Sequence, residues 1–371
     1  METVFNHCNE HLLKYLSVDS LCALSAVSKS FDCFVKQRDE IWKQRVPAGM
    51  PPFSTGKQAV YSIGRASNML HSRSVASCDI ASSRVLHVTE HNRKFFVVTQ
   101  SLCVYVSDDR DCHQFYWYGN CCSGTGSVLS VASCGSDLFA SSIYGVRWLS
   151  LDLPGHANSW SGHTLPFPIS RVSVEVQGHA FMLLTNGTVG YYQYSNLGTG
   201  REHTYFTIRP VHTSATHVVA MPKGDECMVG CTDKYVEKMS MESHTEVLSI
   251  YSEAGGGDSI ESMVLIKPSG NVAVLFKNFH LCIVTADCMS IRLVGLVPFC
   301  QTLPVCMVTH GNNVHVLPYC QQFTYSDGKD ELKMTNPLHG RVITSCVISQ
   351  DCSTAVLSCV AGQIFAVPLT H

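Results

Sequence analysis

Charge is scarce in this sequence. Asp, Glu, Lys and Arg make up 15% of its 371 residues, against 45% hydrophobic. That balance excludes a disordered, self-repelling chain and leaves ample apolar surface for a large core. No cluster of Lys or Arg stands out and the formal net charge is −3, so neither nucleic acid nor an anionic membrane is an expected partner. Long apolar runs are missing as well. A helical membrane span needs about 18 consecutive apolar residues, and none is present. Met1–Glu10 is polar and lacks the basic and apolar regions of a signal peptide.

Chemistry-bearing motifs are also absent. The 19 cysteines contain no CxxC pair, and no HExxH occurs among the 18 histidines. Cys121-Cys122 are adjacent, and Cys300/Cys306 and Cys346/Cys352 are spaced too widely for a tight ligand hairpin. No metal and no cofactor is therefore expected. An odd cysteine count with irregular spacing is a poor disulfide framework. Cys103, Cys282 and Cys359 lie in apolar runs, where a free thiol behaves as a small hydrophobe. The cysteines are read as packing residues and the histidines as surface residues. A reducing compartment, cytoplasm or nucleus, is expected. There is no GxSxG elbow, and Asp108/Asp109 sit in a charged, solvated turn. Gly124-Thr-Gly126 and Gly255-Gly-Gly257 lack the strand–turn–helix setting of a phosphate cradle and read as loops. No catalytic constellation emerges, so the chain is not expected to be an enzyme.

What is present falls into two regions of different period. Over residues 10–46, Leu12, Leu13, Leu16, Leu21, Leu24, Val27, Phe31, Phe34 and Val35 recur at three- and four-residue steps, which predicts helices. Ser17 to Ser20 supply capping residues for a helix beginning near Leu21, and Pro47, Gly49, Pro51 and Pro52 end the helical region. From residue 84 onward, short runs of Val, Ile, Phe and Tyr alternate with Gly, Asn and Asp turns, the pattern of strands and hairpins.

That second region is repetitive. A polar turn, an apolar strand, a second turn and another strand recur, with first turns at Asn92, Gly135, Gly178, Gly224, Gly270, Gly311 and Asp351. Seven units at steps of 40–46 residues predict an all-β, seven-bladed propeller. A lone blade cannot bury both faces of its sheet, whereas radial stacking does so. The chain ends after the third strand of the seventh unit. The fourth strand is expected from Ala59–Ile63 or Val75–Ile80, which closes the ring non-covalently; the alternative is a three-stranded last blade. The organisation read from the sequence is a helical module at 1–46, a linker at 47–83 that contributes the ring-closing strand, and a propeller at 84–371.

Two family resemblances fit these regions. Leu12-Leu13, Tyr15-Leu16, Ser20-Leu21 to Leu24, Val27-Ser28-Lys29 and Ile41-Trp42 follow the order of an F-box, and the N-terminus resembles that family. It departs at Val4-Phe5, where the family has Leu-Pro, at the polar Asn9-Glu10, and at Phe31 in place of Trp. The resemblance implies a three-helix module docking a Skp-type adaptor, and through it a cullin complex, by way of Leu12, Leu13, Leu16, Leu21, Leu24, Val27 and Trp42. The second region resembles a WD-repeat propeller, clearest in the run from His339 to Ser353 and the final Gly362–Leu369, although no unit carries a Trp-Asp dipeptide. Together they are similar to F-box/WD-repeat substrate receptors of ubiquitin ligases. The other reading is a propeller scaffold with no ligase role.

The resemblance places substrate on the rim built from loops between second and third strands and from inter-blade loops, here Tyr144, Arg171, Asn186, Asp233, Lys234, Lys277, Tyr319, Arg341 and Gln363. Phosphopeptide recognition needs clustered Arg, so these basic residues serve it only if they converge. Asn186-Gly-Thr188 is a glycosylation sequon by pattern and reads more simply as a turn. Met239 and Met241 read as strand-packing residues. Of Phe115-Tyr116-Trp117-Tyr118, two are expected to pack between blades and two to be exposed.

Overall fold

The computed structural model describes residues 76–79 and 84–368, apart from connecting segments within the latter. The helical module with Leu12, Leu13, Leu16, Leu21, Leu24, Val27 and Trp42 lies outside the described residues. The described chain is all-β and forms seven four-stranded antiparallel sheets. Blade 1 comprises β2 (Val85–His91), β3 (Lys94–Thr99), β4 (Cys103–Ser107) and β5 (Phe115–Asn120). Blade 2 comprises β6 (Val128–Cys134), β7 (Asp137–Ser142), β8 (Gly145–Ser150) and β9 (Ala157–Ser159). Blade 3 holds β10 (Ile169–Ser173), β11 (His179–Leu184), β12 (Val189–Leu197) and β13 (Gly200–Arg209). Blade 4 holds β14 (Ala215–Ala220), β15 (Glu226–Cys231), β16 (Tyr235–Ser240) and β17 (Glu246–Ser249). Blade 5 is β18 (Ile260–Ile266), β19 (Asn271–Phe276), β20 (His280–Val284) and β21 (Ile291–Leu296). Blade 6 is β22 (Cys306–His310), β23 (Asn313–Leu317), β24 (Gln322–Ser326) and β25 (Glu331–Thr335).

Blade 7 is assembled from both ends of the described chain. β26 (Ile343–Ile348), β27 (Thr354–Cys359) and β28 (Gln363–Pro368) are followed in the sheet by β1 (Ala76–Asp79). The antiparallel register runs from Ala76 opposite Ala366 to Asp79 opposite Gln363. β1 lies within 75–80, one of the two segments considered for closure. The innermost strands touch in circular order, β2 against β6 and onward to β22 against β26, with β26 returning to β2.

The core sits between blades. Phe95 and Val97 of β3 pack with Val356, Ile364 and Ala366 of blade 7. Phe96 and Val98 of the same strand pack with Leu138 and Ala140 of blade 2. Successive side chains of a strand point to opposite sheet faces, and here both faces meet a neighbour. This is why the second strands read as continuous apolar runs rather than alternating ones. Seven such clusters fill the seven joints. Fully burying one Phe or Leu is worth about 1.5 to 3 kcal/mol, so each joint sums several such terms.

The histidine reading needs correction. His217 and His315 are buried, and burial lowers the pKa of both to about 3. His87 and His310 are lowered to about 4 for the same reason. His87 and His217 sit on innermost strands and reach groups of the next blade. His217 Nε2–H donates to the Glu261 carbonyl at 2.9 Å, and His315 Nδ1 lies 3.1 Å from Thr324 Oγ1. Met239 and Met241 do pack, at the joint between blades 3 and 4.

Candidate functional site

The candidate site lies on the face where each blade's second strand turns into its third. At this face the innermost strand of six blades carries a bulge after its first residue. The bulged residues are Leu86, Leu129, Ser170, Thr216, Glu261 and Thr344. A bulge adds twist and re-aims the next side chain. Backbone bonds then tie the second-strand turn to the strand entry, as in Gln100 N to Arg84 O, Thr185 N to Pro168 O, Thr232 N to Ser214 O and Lys277 N to Ser259 O.

The residue after the bulge defines an equivalent position around the ring: His87, Ser130, Arg171, His217, Ser262 and Ser345, joined by Cys306 of blade 6 through its pairing with Leu317. Most of these side chains clamp the next blade. Ser130 Oγ accepts from Val172 N–H at 3.3 Å, and Ser345 Oγ accepts from Val88 N–H at 3.1 Å. The Cys346 N–H lies against the Cys306 sulfur, where it opposes the burial that pushes that thiol up to about 12. His87 Nε2 lies 3.0 Å from Ser133 Oγ, and His217 bonds to Glu261. Arg171 breaks the pattern. It cannot accept a hydrogen bond, and it is the exposed member of this ring.

Arg171 belongs to a charged group spanning blades 3 to 5. Its guanidinium pKa is lowered by the protein atoms crowding it, and the Glu261 carboxylate opposes this. Glu261 is pushed up by burial, with Lys277 and Arg171 pulling it down. His217, between them in ring order, is held neutral by burial first and by the Arg171 and Lys277 charges second. No direct ion pair joins Arg171 or Lys277 to Glu261 among the described residues. The group therefore holds two exposed cations around one half-buried carboxylate.

Of the rim residues named from the sequence, the structure brings Arg171 and Lys277 into this group. Asn186 is on the same face and exposed, but its Oδ1 serves its own turn, accepting from Thr188 N at 3.1 Å and Thr188 Oγ1 at 2.8 Å. The following Gly187 has φ +81°, and a Cβ there would stand 2.3 Å from Ser214 Oγ. Gln363 begins β28 at the same face. Tyr144, Asp233, Lys234, Tyr319 and Arg341 lie outside the described residues. Sequence reasoning missed Glu261, which sits inside a strand next to an expected turn. It also missed three exposed apolar residues on this face: Leu129 at 44%, Ile143 at 51% and Phe167 at 43% exposure. The aromatic run divides as expected in number. Phe115 and Tyr118 pack in the joints of blade 1 with blades 7 and 2, while Tyr116 and Trp117 are exposed.

Comparison with solved structures identifies the architecture. The chain is similar to the WD40 β-propeller domain of Doa1, with a TM-score of 0.59 at 12% identity over 78% of this chain and 95% of that one. The fold is a seven-bladed β-propeller. The chain is also similar to YCF48 bound to D1 peptide, with a TM-score of 0.58 at 10% identity over 79% of this chain and 96% of that one. A catalytically inactive virginiamycin B lyase from Staphylococcus aureus with quinupristin gives 0.61 at 6% identity, over 80% and 99%. At these identities the likeness is one of fold. No protein-family model matches the sequence, and no curated protein matches it either.

Proposed function

We propose that this WD40-like propeller protein is the substrate-recognition subunit of a Skp–cullin–F-box ubiquitin ligase. The N-terminal residues dock the adaptor through Leu12, Leu13, Leu16, Leu21, Leu24, Val27 and Trp42, and the loop face of the propeller holds a protein substrate. The observation that carries this reading is the completeness of the ring: all seven sheets have four strands with β1 supplying the last. Every described sheet is complete with its four strands, and the segment with the F-box sequence pattern lies outside them, which supports reading it as a separate docking module. The chain itself performs no chemistry in this reading. It raises the local concentration of substrate beside a ubiquitin-charged enzyme, an effective-concentration gain. Its place of action would be the cytoplasm or nucleus.

The test is co-purification with a Skp-type adaptor, comparing the wild-type chain with Leu16→Asp. Recovery of adaptor by the wild type and its loss in the variant is the expected result. Equal recovery by both, or by neither, would overturn the ligase role and leave a protein-interaction propeller without an adaptor, the reading favoured by the solved likeness to a propeller bound to a peptide.

A further inference from the structure

The loop face carries more than a list of rim residues. Its described polar and apolar groups are ordered around the ring. Leu129 is the bulge of blade 2, and its strand neighbour Val128 pairs with Ser142, which precedes Ile143 in the turn. Ser130, next to Leu129, bonds to Val172 of blade 3, so Leu129 and Arg171 lie on adjoining strands one step from that bond. Phe167 leads into the same strand of blade 3, two residues before Ile169. Beyond Arg171 come the neutral His217 of blade 4, then Glu261 and Lys277 of blade 5. An apolar shelf therefore passes directly into a cationic group.

We propose that this arc of blades 2 to 5 is a docking site for a short peptide carrying an apolar side chain near a carboxylate. The apolar group lies on Leu129, Ile143 and Phe167, and the carboxylate lies between Arg171 and Lys277. The proposal rests on reading this face as the ligand face, and not on the adaptor assignment.

Three observations carry the choice of occupant. First, Arg171 stands where the serines of blades 2 and 7 hold the next blade, so it is spared for an outside partner. Second, among the described residues of this group Arg171 and Lys277 bring two positive charges against the single carboxylate of Glu261, an excess of one for a ligand to neutralise. That excess matches a carboxylate. A basic ligand would meet two cations, and a phosphate dianion would exceed the positive charge on offer. Third, three of the seven large apolar side chains that are exposed among the described residues gather beside this group. Exposed apolar surface rimmed by polar groups marks interaction sites.

The experiment selects from a random-peptide display library on the full-length chain, then measures the best sequence as a labelled synthetic peptide. The expected enriched sequences place Asp or Glu within a few residues of Leu, Ile, Phe or Met. Binding should fall at least about tenfold in Arg171→Glu/Lys277→Glu and about tenfold in Leu129→Ser/Phe167→Ser, the loss expected when an anchor is removed. Changing the peptide's acid to Lys should restore binding to the charge-reversed protein. Enrichment of acid-free sequences, no enrichment over a protein-free selection, or binding undiminished in either double variant would overturn the proposal. Should a variant fail to fold, the wild type decides: its affinity must weaken with added salt, because screening weakens exposed charge pairs, and a salt-independent affinity overturns it. Leu16→Asp should leave peptide binding unchanged, so the ligase reading and this one fail separately.

Discussion

The backbone N–H of Val88 donates to Ser345 Oγ at 3.1 Å, across 257 residues of sequence and across the joint where the first blade meets the last. The same bond recurs between blades 2 and 3, from Val172 N–H to Ser130 Oγ at 3.3 Å. These hydroxyls satisfy inner-strand donors that no strand of their own blade reaches. Ser345→Ala should cost about 1 to 3 kcal/mol, the penalty for a buried donor left without a partner. Ser130→Ala should cost no more, since its surroundings are less buried. Because the joints are separate, the double variant should show additive losses in urea unfolding. A Ser345→Ala midpoint equal to wild type would remove the clamp from the account of ring closure.

Ring closure also depends on β1. A chain that begins just before Ala76 should keep the thermal unfolding midpoint of the propeller. One that begins at Arg84 should lose several degrees and aggregate, because the edge of β28 opposite Ala76–Asp79 is then left unpaired. Scanning calorimetry of the two shortened chains checks this, and identical midpoints would contradict it.

Acid should destabilise the propeller through its buried histidines. His87, His217, His310 and His315 have folded pKa values of about 4, 3, 4 and 3, below the ordinary 6.5. For groups lowered in the folded state, the unfolded chain binds protons first as pH falls. Stability is therefore complete above pH 6.5 and declines between there and the folded values. Near pH 5 each fully buried histidine costs about 2 kcal/mol, and the more accessible His87 and His310 cost less. His217→Gln keeps a donor for the Glu261 carbonyl and removes one titrating group. Its urea midpoint should fall less steeply with pH over this window than that of the wild type.

Two core positions test the joints and the turn. Phe139→Ala should cost about 3 to 5 kcal/mol, since Phe139 is fully buried between blades 2 and 3 beside Tyr194, at 5.5 Å between ring centroids. Gly187→Ala should cost about 1 to 3 kcal/mol, because φ +81° and the near contact with Ser214 both oppose a side chain. Each is read from denaturant unfolding of the full chain. Losses below 0.5 kcal/mol, roughly the scale of a neutral surface change, would refute the packing described.

The repeat, the all-β class and the number of blades were legible in the sequence, because turn residues and apolar strands alternate at a nearly constant step. Of Phe115–Tyr118 only the number packed was legible: strand alternation predicts every second residue, but a register shift opposite the run leaves Phe115 and Tyr118 packed and the adjacent Tyr116 and Trp117 exposed. The site was legible only in part. Arg171 and Lys277 were nameable as rim residues through the resemblance to WD-repeat propellers, yet nothing in the chain order announces that residues 171, 217, 261 and 277 share one mouth. Glu261 and His217 resemble any polar residue inside a strand. The sequence by itself determined the strands and turns, since local period and turn chemistry act within a few residues. Only the tertiary structure decided which strand closed the ring, which histidines lost their solvent, and which post-bulge side chain was spared from holding the next blade. Those depend on what a neighbouring blade presents, and neighbours in this ring are set by radial stacking across distances of 40 residues or more, up to the 257 that separate Val88 from Ser345.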